Sequence, residues 1–204
     1  TRSVESWTSG NFDAISRATG YSGRDENSLG ILLHEGTITS FASKKYSVGE
    51  RYYVRAEINI RGNDYIIYNT HLKRPALVNP RGSFRLPQST TPQDASETEA
   101  QLQELARIVS DDMARNPQKP FIVLGDFNIN GLTDDGKTKM VLFDPLKDVT
   151  TTVGKTFPVT NYCELAPDRS KLYGCFDRDE KIDYILVSDS LKLGESAQTV
   201  QADG

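Results

Sequence analysis

The stretch Phe121-Ile122-Val123-Leu124-Gly125-Asp126-Phe127-Asn128-Ile129-Asn130 constrains this chain more than any other. Its four leading apolar residues read as a strand buried on both faces. Gly125 then breaks the run, and Asp126 and Asn128 follow at i and i+2. If the backbone stays extended, that spacing puts both polar side chains on one side of the strand end. A carboxylate and a carboxamide would then stand together at the rim of an apolar scaffold. Gly, Asp and Asn are also ordinary turn residues, so the local sequence leaves a plain turn open beside a functional pair.

The rest of the chain reads as strands around one long helix. Tyr52–Ile60 alternates apolar and polar residues, Arg61-Gly62-Asn63 is turn-like, and Asp64–His71 forms a second strand, which predicts a β-hairpin. Leu29–Leu33 reads as a short strand, with Thr37–Ala42 placed to pair with it across Glu35-Gly36. Residues 21–28 read as a polar loop. Asn11 is a candidate cap for a helix with Phe12, Ile15 and Ala18 on one face and Gly20 as its stop. Ser96 and Glu99 form a capping-box pattern. Leu102, Leu105, Ala106, Val109 and Met113 then line one apolar face of a helix over 96–115. Residues 131–160 show no period, and Ile182–Val187 reads as a last strand carrying Asp183. With no repeat and no break in composition, residues 1–204 are expected to form one domain. Strands outnumber helices, and the helix links two strand regions, which gives a layered α/β arrangement.

A formal net charge of −4 argues against non-specific binding to long nucleic acid through a basic surface, yet permits a nuclease that holds a short stretch with a cation. One segment departs from that balance. Residues 73–95 contain four prolines and the basic side chains Lys73, Arg74, Arg81 and Arg85. They suit either a solvated loop or a phosphate-facing lip. No run approaches the ~20 apolar residues of a membrane helix. Cys163 and Cys175 are either two unrelated buried thiols or a disulfide across a turn-like loop. The disulfide, favoured because ELAPDRSKLYG has little to pack, implies a secreted or periplasmic home.

Three segments carry a wider pattern: Tyr68-Asn69-Thr70-His71-Leu72, Leu124-Gly125-Asp126-Phe127-Asn128 and Lys181-Ile182-Asp183-Tyr184-Ile185-Leu186. In this order and spacing, with the amphipathic helix between the first two, the chain resembles the endonuclease/exonuclease/phosphatase superfamily. Thr156-Phe157-Pro158 matches a further family element. The resemblance implies a four-layer α/β sandwich, two packed β-sheets flanked by helices. It also implies hydrolysis of phosphate esters with Mg²⁺, or Mn²⁺ or Ca²⁺. By motif, His71 would contact the scissile phosphate or protonate the leaving oxygen, and Asp126 would orient or deprotonate the attacking water. Asn128 would donate to a phosphate oxygen, Asp126 and Asn128 would stand near the metal, and Asp183 would orient a histidine that this chain lacks. These residue types suit the chemistry. A carboxylate attracts a hard cation, histidine exchanges protons near neutral pH, and a neutral amide does not repel an anionic ester.

Two family elements have no counterpart in the sequence. Members usually begin with a strand–helix–strand unit ending in Gln-Glu, whose Glu is the principal metal ligand, and end with Ser-Asp-His. Glu5 lies too early and shows no strand before it, and the chain stops at Ala202-Asp203-Gly204. The sandwich is therefore expected to be incomplete at both termini, and residues 1–204 alone to be inactive. The leading expectation is a nuclease acting on a phosphodiester, with nucleic acid as partner. The alternatives are a phosphatase or phospholipase-type enzyme acting on inositol or lipid head groups, and a non-catalytic scaffold. His34 has no family counterpart and reads as a structural or surface histidine.

Overall fold

A computed structural model describes residues 2–5, 11–74, 92–129, 131, 133–149 and 183–191. Among these, the chain runs β1 (Arg2–Glu5), α1 (Asn11–Thr19), β2 (Ser22–Glu26), β3 (Leu29–Leu33), β4 (Thr37–Lys45), β5 (Tyr52–Ile60) and β6 (Asn63–His71). It continues with α2 (Pro92–Arg115), β7 (Phe121–Asp126), α3 (Asp134–Met140), a 3₁₀ turn at Val141–Phe143, β8 (Lys147–Asp148) and β9 (Asp183–Val187). The strands form two sheets, ordered β1-β3-β2 and β4-β5-β6-β7-β9-β8.

Four layers follow from which side chains each element buries. The smaller sheet turns Leu29, Ile31 and Leu33 toward the larger one, where they pack with Val54, Ala56, Ile58, Ile67 and Leu124. Its opposite face carries Leu32, which packs with Phe12 and Ile15 of α1. The larger sheet turns Tyr53, Ile66, Tyr68, Phe121 and Val123 outward against Leu102, Leu105, Ala106 and Val109 of α2. The order is therefore α1, small sheet, large sheet, α2: the α/β sandwich that the motifs imply. Full burial of a leucine or isoleucine is worth about 1.5–3 kcal/mol, and both strands of the central pair, β6 and β7, are sandwiched on two faces.

The β5–β6 hairpin forms as the alternation predicts, with Arg61 at φ 52° and Gly62 at φ 83° in its turn. Other expectations need correction. Residues 22–26 are not loop but an exposed strand, which pairs with β3 across Asn27-Ser28. Its near-complete exposure removes the apolar alternation that would reveal it. The segment from Thr37 does not pair with Leu29–Leu33. It enters the larger sheet against β5, so Glu35-Gly36 is a crossing between sheets. Helix α2 starts at Pro92, four residues before Ser96, so Ser96 lies within the helix and does not cap it. Proline suits that first position, where its missing N–H has no intrahelical acceptor. Residues 134–148, read as irregular, contain α3, the 3₁₀ turn and β8; Thr133 caps α3 by accepting from Gly136 N. His34 is an exposed residue whose ring lies 5.1 Å from that of Tyr21. Cys163, Cys175, Arg81, Arg85 and the 156–158 element lie outside the described residues.

Candidate active site

Strands β6 and β7 are parallel neighbours joined by the α2 crossover, so both end at the same edge of the sheet. Strand β9 is antiparallel to β7 and begins there. The register then aligns His71 with Asp126 and Asp126 with Asp183. The three residues lie side by side across consecutive strands, with register partners projecting from one face of the sheet. Asn128 joins them two residues beyond the end of β7.

The chain leaves β7 by a sharp turn rather than in an extended line. Gly125 holds φ 134°, and a β-carbon there would overlap the carbonyl oxygen of Thr70. Asp126 Oδ1 then accepts from Asn128 N at 2.8 Å, an Asx turn, and Asn128 takes a left-handed φ of 51°. The segment is thus a turn and not an extended strand end, and the turn pairs the Asp126 carboxylate with the backbone N–H of Asn128. Asn128 Nδ2 donates to Leu72 O at 2.9 Å, and Leu72 N donates to Asp126 O at 2.9 Å. These two bonds lace the ends of β6 and β7 to each other. Beneath them Phe127, Phe143 and Tyr184 pack edge to face, with ring centres 5.2 and 5.5 Å apart. Tyr184 Oη donates to Ile129 O at 3.0 Å, and burial pushes its phenol well above the usual range, so it stays a neutral donor.

His71 is mostly buried and lies with Nε2 3.7 Å from Asp126 Oδ2. On its other side Arg51 Nη1 stands 3.3 Å from His71 Nδ1. A guanidinium only donates, so this contact is a hydrogen bond in the tautomer whose Nδ1 accepts. No motif in the sequence marks Arg51. It follows the segment Ser47-Val48-Gly49-Glu50, which matches no motif.

The sequence expectation that needs correction here concerns Glu5. It does have a strand, since it closes β1. Its register partner is Leu29, and the neighbouring pair is Val4 with Gly30. Asn69 Nδ2 reaches across the core to donate to Gly30 O at 2.9 Å. The opposite end of β3 leads to Gly36, which lies against Asn59 at the far end of the hairpin. The Leu29 end of the smaller sheet therefore faces the His71 end of β6, and Glu5 ends its strand at the same edge of the sandwich. Only Val4 is an apolar residue in this four-residue strand, so the sequence offered no periodicity to find it.

Among the described residues no three His, Cys, Asp or Glu side chains converge as a ready-made metal cage. The donor set nonetheless fits a hard ion of the Mg²⁺ type, which is held by one or two carboxylates and completed by water and substrate oxygens. Asp126 and the amide oxygen of Asn128 would supply such oxygens.

No protein-family model matches the sequence, and no curated protein matches it significantly. Solved structures do match. Truncated TDP2 from Caenorhabditis elegans superposes with a TM-score of 0.63 at 16% identity, over 91% of this chain and 69% of that one. The human Nocturnin catalytic domain with bound sulfate anion gives 0.59 at 16% identity, over 91% and 67%. An endonuclease/exonuclease/phosphatase family protein from Bacteroides thetaiotaomicron gives 0.52 at 16% identity, over 87% and 65%. At such identities the shared property is the fold, and this chain spans about two thirds of the length of each.

Proposed function

We propose that this chain, which has the endonuclease/exonuclease/phosphatase fold, hydrolyses phosphate esters with a divalent cation, and that its substrate is a nucleic-acid phosphodiester. The observation that carries the reading is the alignment of His71, Asp126 and Asp183 on three adjacent strand ends, with Asn128 laced to Leu72 beside them. One similar structure holds a sulfate anion, a tetrahedral oxyanion like the phosphate of an ester. Asp126 is the candidate to orient or deprotonate the attacking water, its position held by the Asx turn. His71, beside Asp126, is the candidate to donate to a phosphate oxygen or to protonate the leaving oxygen. Arg51, behind that ring, adds positive charge where an anionic ester would sit. Asp126 and Asn128 would hold the cation, which would supply charge neutralisation and polarisation of the ester.

A phosphatase or phospholipase-type reading uses the same chemistry, and the choice between substrates lies in loops. The test is a substrate panel run with the full-length protein in Mg²⁺ or Mn²⁺. Conversion of supercoiled plasmid to open circles supports the nuclease. Release of phosphate or phosphocholine from small head groups without nicking favours the alternative. Binding without turnover on either substrate would leave a non-catalytic scaffold and sink the proposal.

A further inference from the structure

Gln101 lies on α2 and is fully buried, one of three polar side chains, with Thr98 and Asp112, among the apolar residues that this helix turns inward. Each end of its carboxamide is occupied. Oε1 accepts from Lys73 N at 2.8 Å, two residues past His71. Nε2 donates to Val48 O at 2.9 Å and to Glu97 Oε1 at 3.1 Å. One side chain thus ties together two segments that do not hydrogen-bond each other in any ladder: the β4–β5 loop and the strand end carrying His71.

The neighbours of Gln101 repeat the same connection. Glu104, one turn on, accepts from Ser47 N at 2.9 Å and from Ser47 Oγ. Thr98, one turn back and buried, donates to Lys73 O at 2.8 Å. Gly49 approaches so closely that a β-carbon would overlap Glu97 Oε1, and its φ of 78° suits glycine. Tyr46 N donates to Arg51 O at 3.0 Å and closes the loop. Buried Tyr46 Oη lies 2.7 Å from Thr70 Oγ1, beside the base of His71. Arg51, the last residue of this clasped loop, is the one that meets His71 Nδ1.

We propose that Gln101 is a positioning residue: from α2 it holds the Arg51 loop against the His71 strand end, and through that pair it selects the His71 tautomer that presents Nε2–H to Asp126. Its consequence for turnover rests on the phosphoesterase reading above; its structural content does not. A buried amide with every group paired is costly to misplace, because each lost bond leaves a desolvated partner behind. A residue that holds two chain segments in register can therefore act on a site it never touches.

The test reads the tautomer directly. The chain has two histidines, so a ¹⁵N–¹H long-range spectrum of the imidazoles contains His71 and, as internal reference, the distant His34. The wild type should show His71 with a pyridine-like Nδ1 and a protonated Nε2. Gln101→Met keeps the bulk and removes all three hydrogen bonds, so the His71 nitrogens should move toward a mixture while His34 stays put. Gln101→Met with a cooperative unfolding transition and unchanged His71 signals would overturn the proposal. Should that variant fail to fold, Glu104→Ala loosens the same loop from a half-exposed position and must shift His71 in the same direction; no shift there overturns it equally. In turnover, Gln101→Met should lower kcat/KM by about tenfold, the scale of a small misplacement of reacting groups, and by clearly less in an Arg51→Ala background. Equal losses in both backgrounds would mean that Gln101 serves the fold alone. Absence of turnover in the wild type would count against the phosphoesterase reading and leave the tautomer measurement to decide the role of Gln101.

Discussion

Gly125 shows how narrow the local requirements of the site are. Any other residue there must adopt φ near 134° and force a side chain into the Thr70 carbonyl. Gly125→Ala should therefore lower stability by about 2–4 kcal/mol, the range for strained backbone combined with overpacking, read as a fall in the thermal unfolding midpoint. A change under about 0.5 kcal/mol, the scale of an unremarkable surface substitution, would show that the strand ends tolerate separation. The Gly-Asp-x-Asn pattern was visible in the sequence because it is local: the turn needs these residue types within four positions. Arg51 and Gln101 were invisible for the opposite reason. Their roles come from contacts between segments 20 and 28 residues apart in the chain, and an arginine in a polar loop or a glutamine on a helix announces neither.

At the level of elements, α2 is fastened to the large sheet at both ends. Near the site Gln101, Glu104 and Thr98 hold it. At the far end Asp112 accepts from Arg55 Nε at 2.6 Å, Tyr68 Oη at 2.8 Å and Asn116 Nδ2 at 3.0 Å. Burial pushes the Asp112 carboxyl up, but the hydrogen bonds from Arg55 and Tyr68 outweigh it and hold the group below the usual carboxylate range. Glu57, bonded to Lys119 and Arg55, is lowered as well. Both groups bind protons more weakly when folded, so their stabilisation is present above the ordinary carboxylate range and lost as pH falls through their folded values. The unfolding midpoint should drop steeply below about pH 4, and Asp112→Asn should flatten that drop while lowering stability at pH 7. An unchanged acid profile in Asp112→Asn would show that the network carries no pH dependence. The β5–β6 hairpin and the apolar face of α2 were legible because their periodicity is strong. Strand β2 was not, since an exposed strand has no apolar alternation, and the sheet that β4 joins is decided by tertiary contacts that no local pattern encodes.

For the whole molecule, the motifs identified the sandwich, and the registers bring their residues to one edge. Glu5 belongs to that edge through a strand too short to read. Cys163 and Cys175 are proposed to form a disulfide and with it an oxidising environment. Thiol counting on the denatured, unreduced protein should give none free, and two reactive thiols would remove the reason for placing this protein outside the cytoplasm.

The central claim is tested most directly by the hydrolysis rate of a phosphodiester by the full-length protein, in Mg²⁺ and in excess chelator, beside Asp126→Asn. That substitution keeps the shape of the side chain and the acceptor for Asn128 N, and removes the charge. The account predicts turnover that needs the cation and falls by about 10²–10⁴-fold in Asp126→Asn, the contribution of a positioned general base, with the unfolding transition retained. Turnover that survives the chelator, or an Asp126→Asn rate close to wild type, would contradict it.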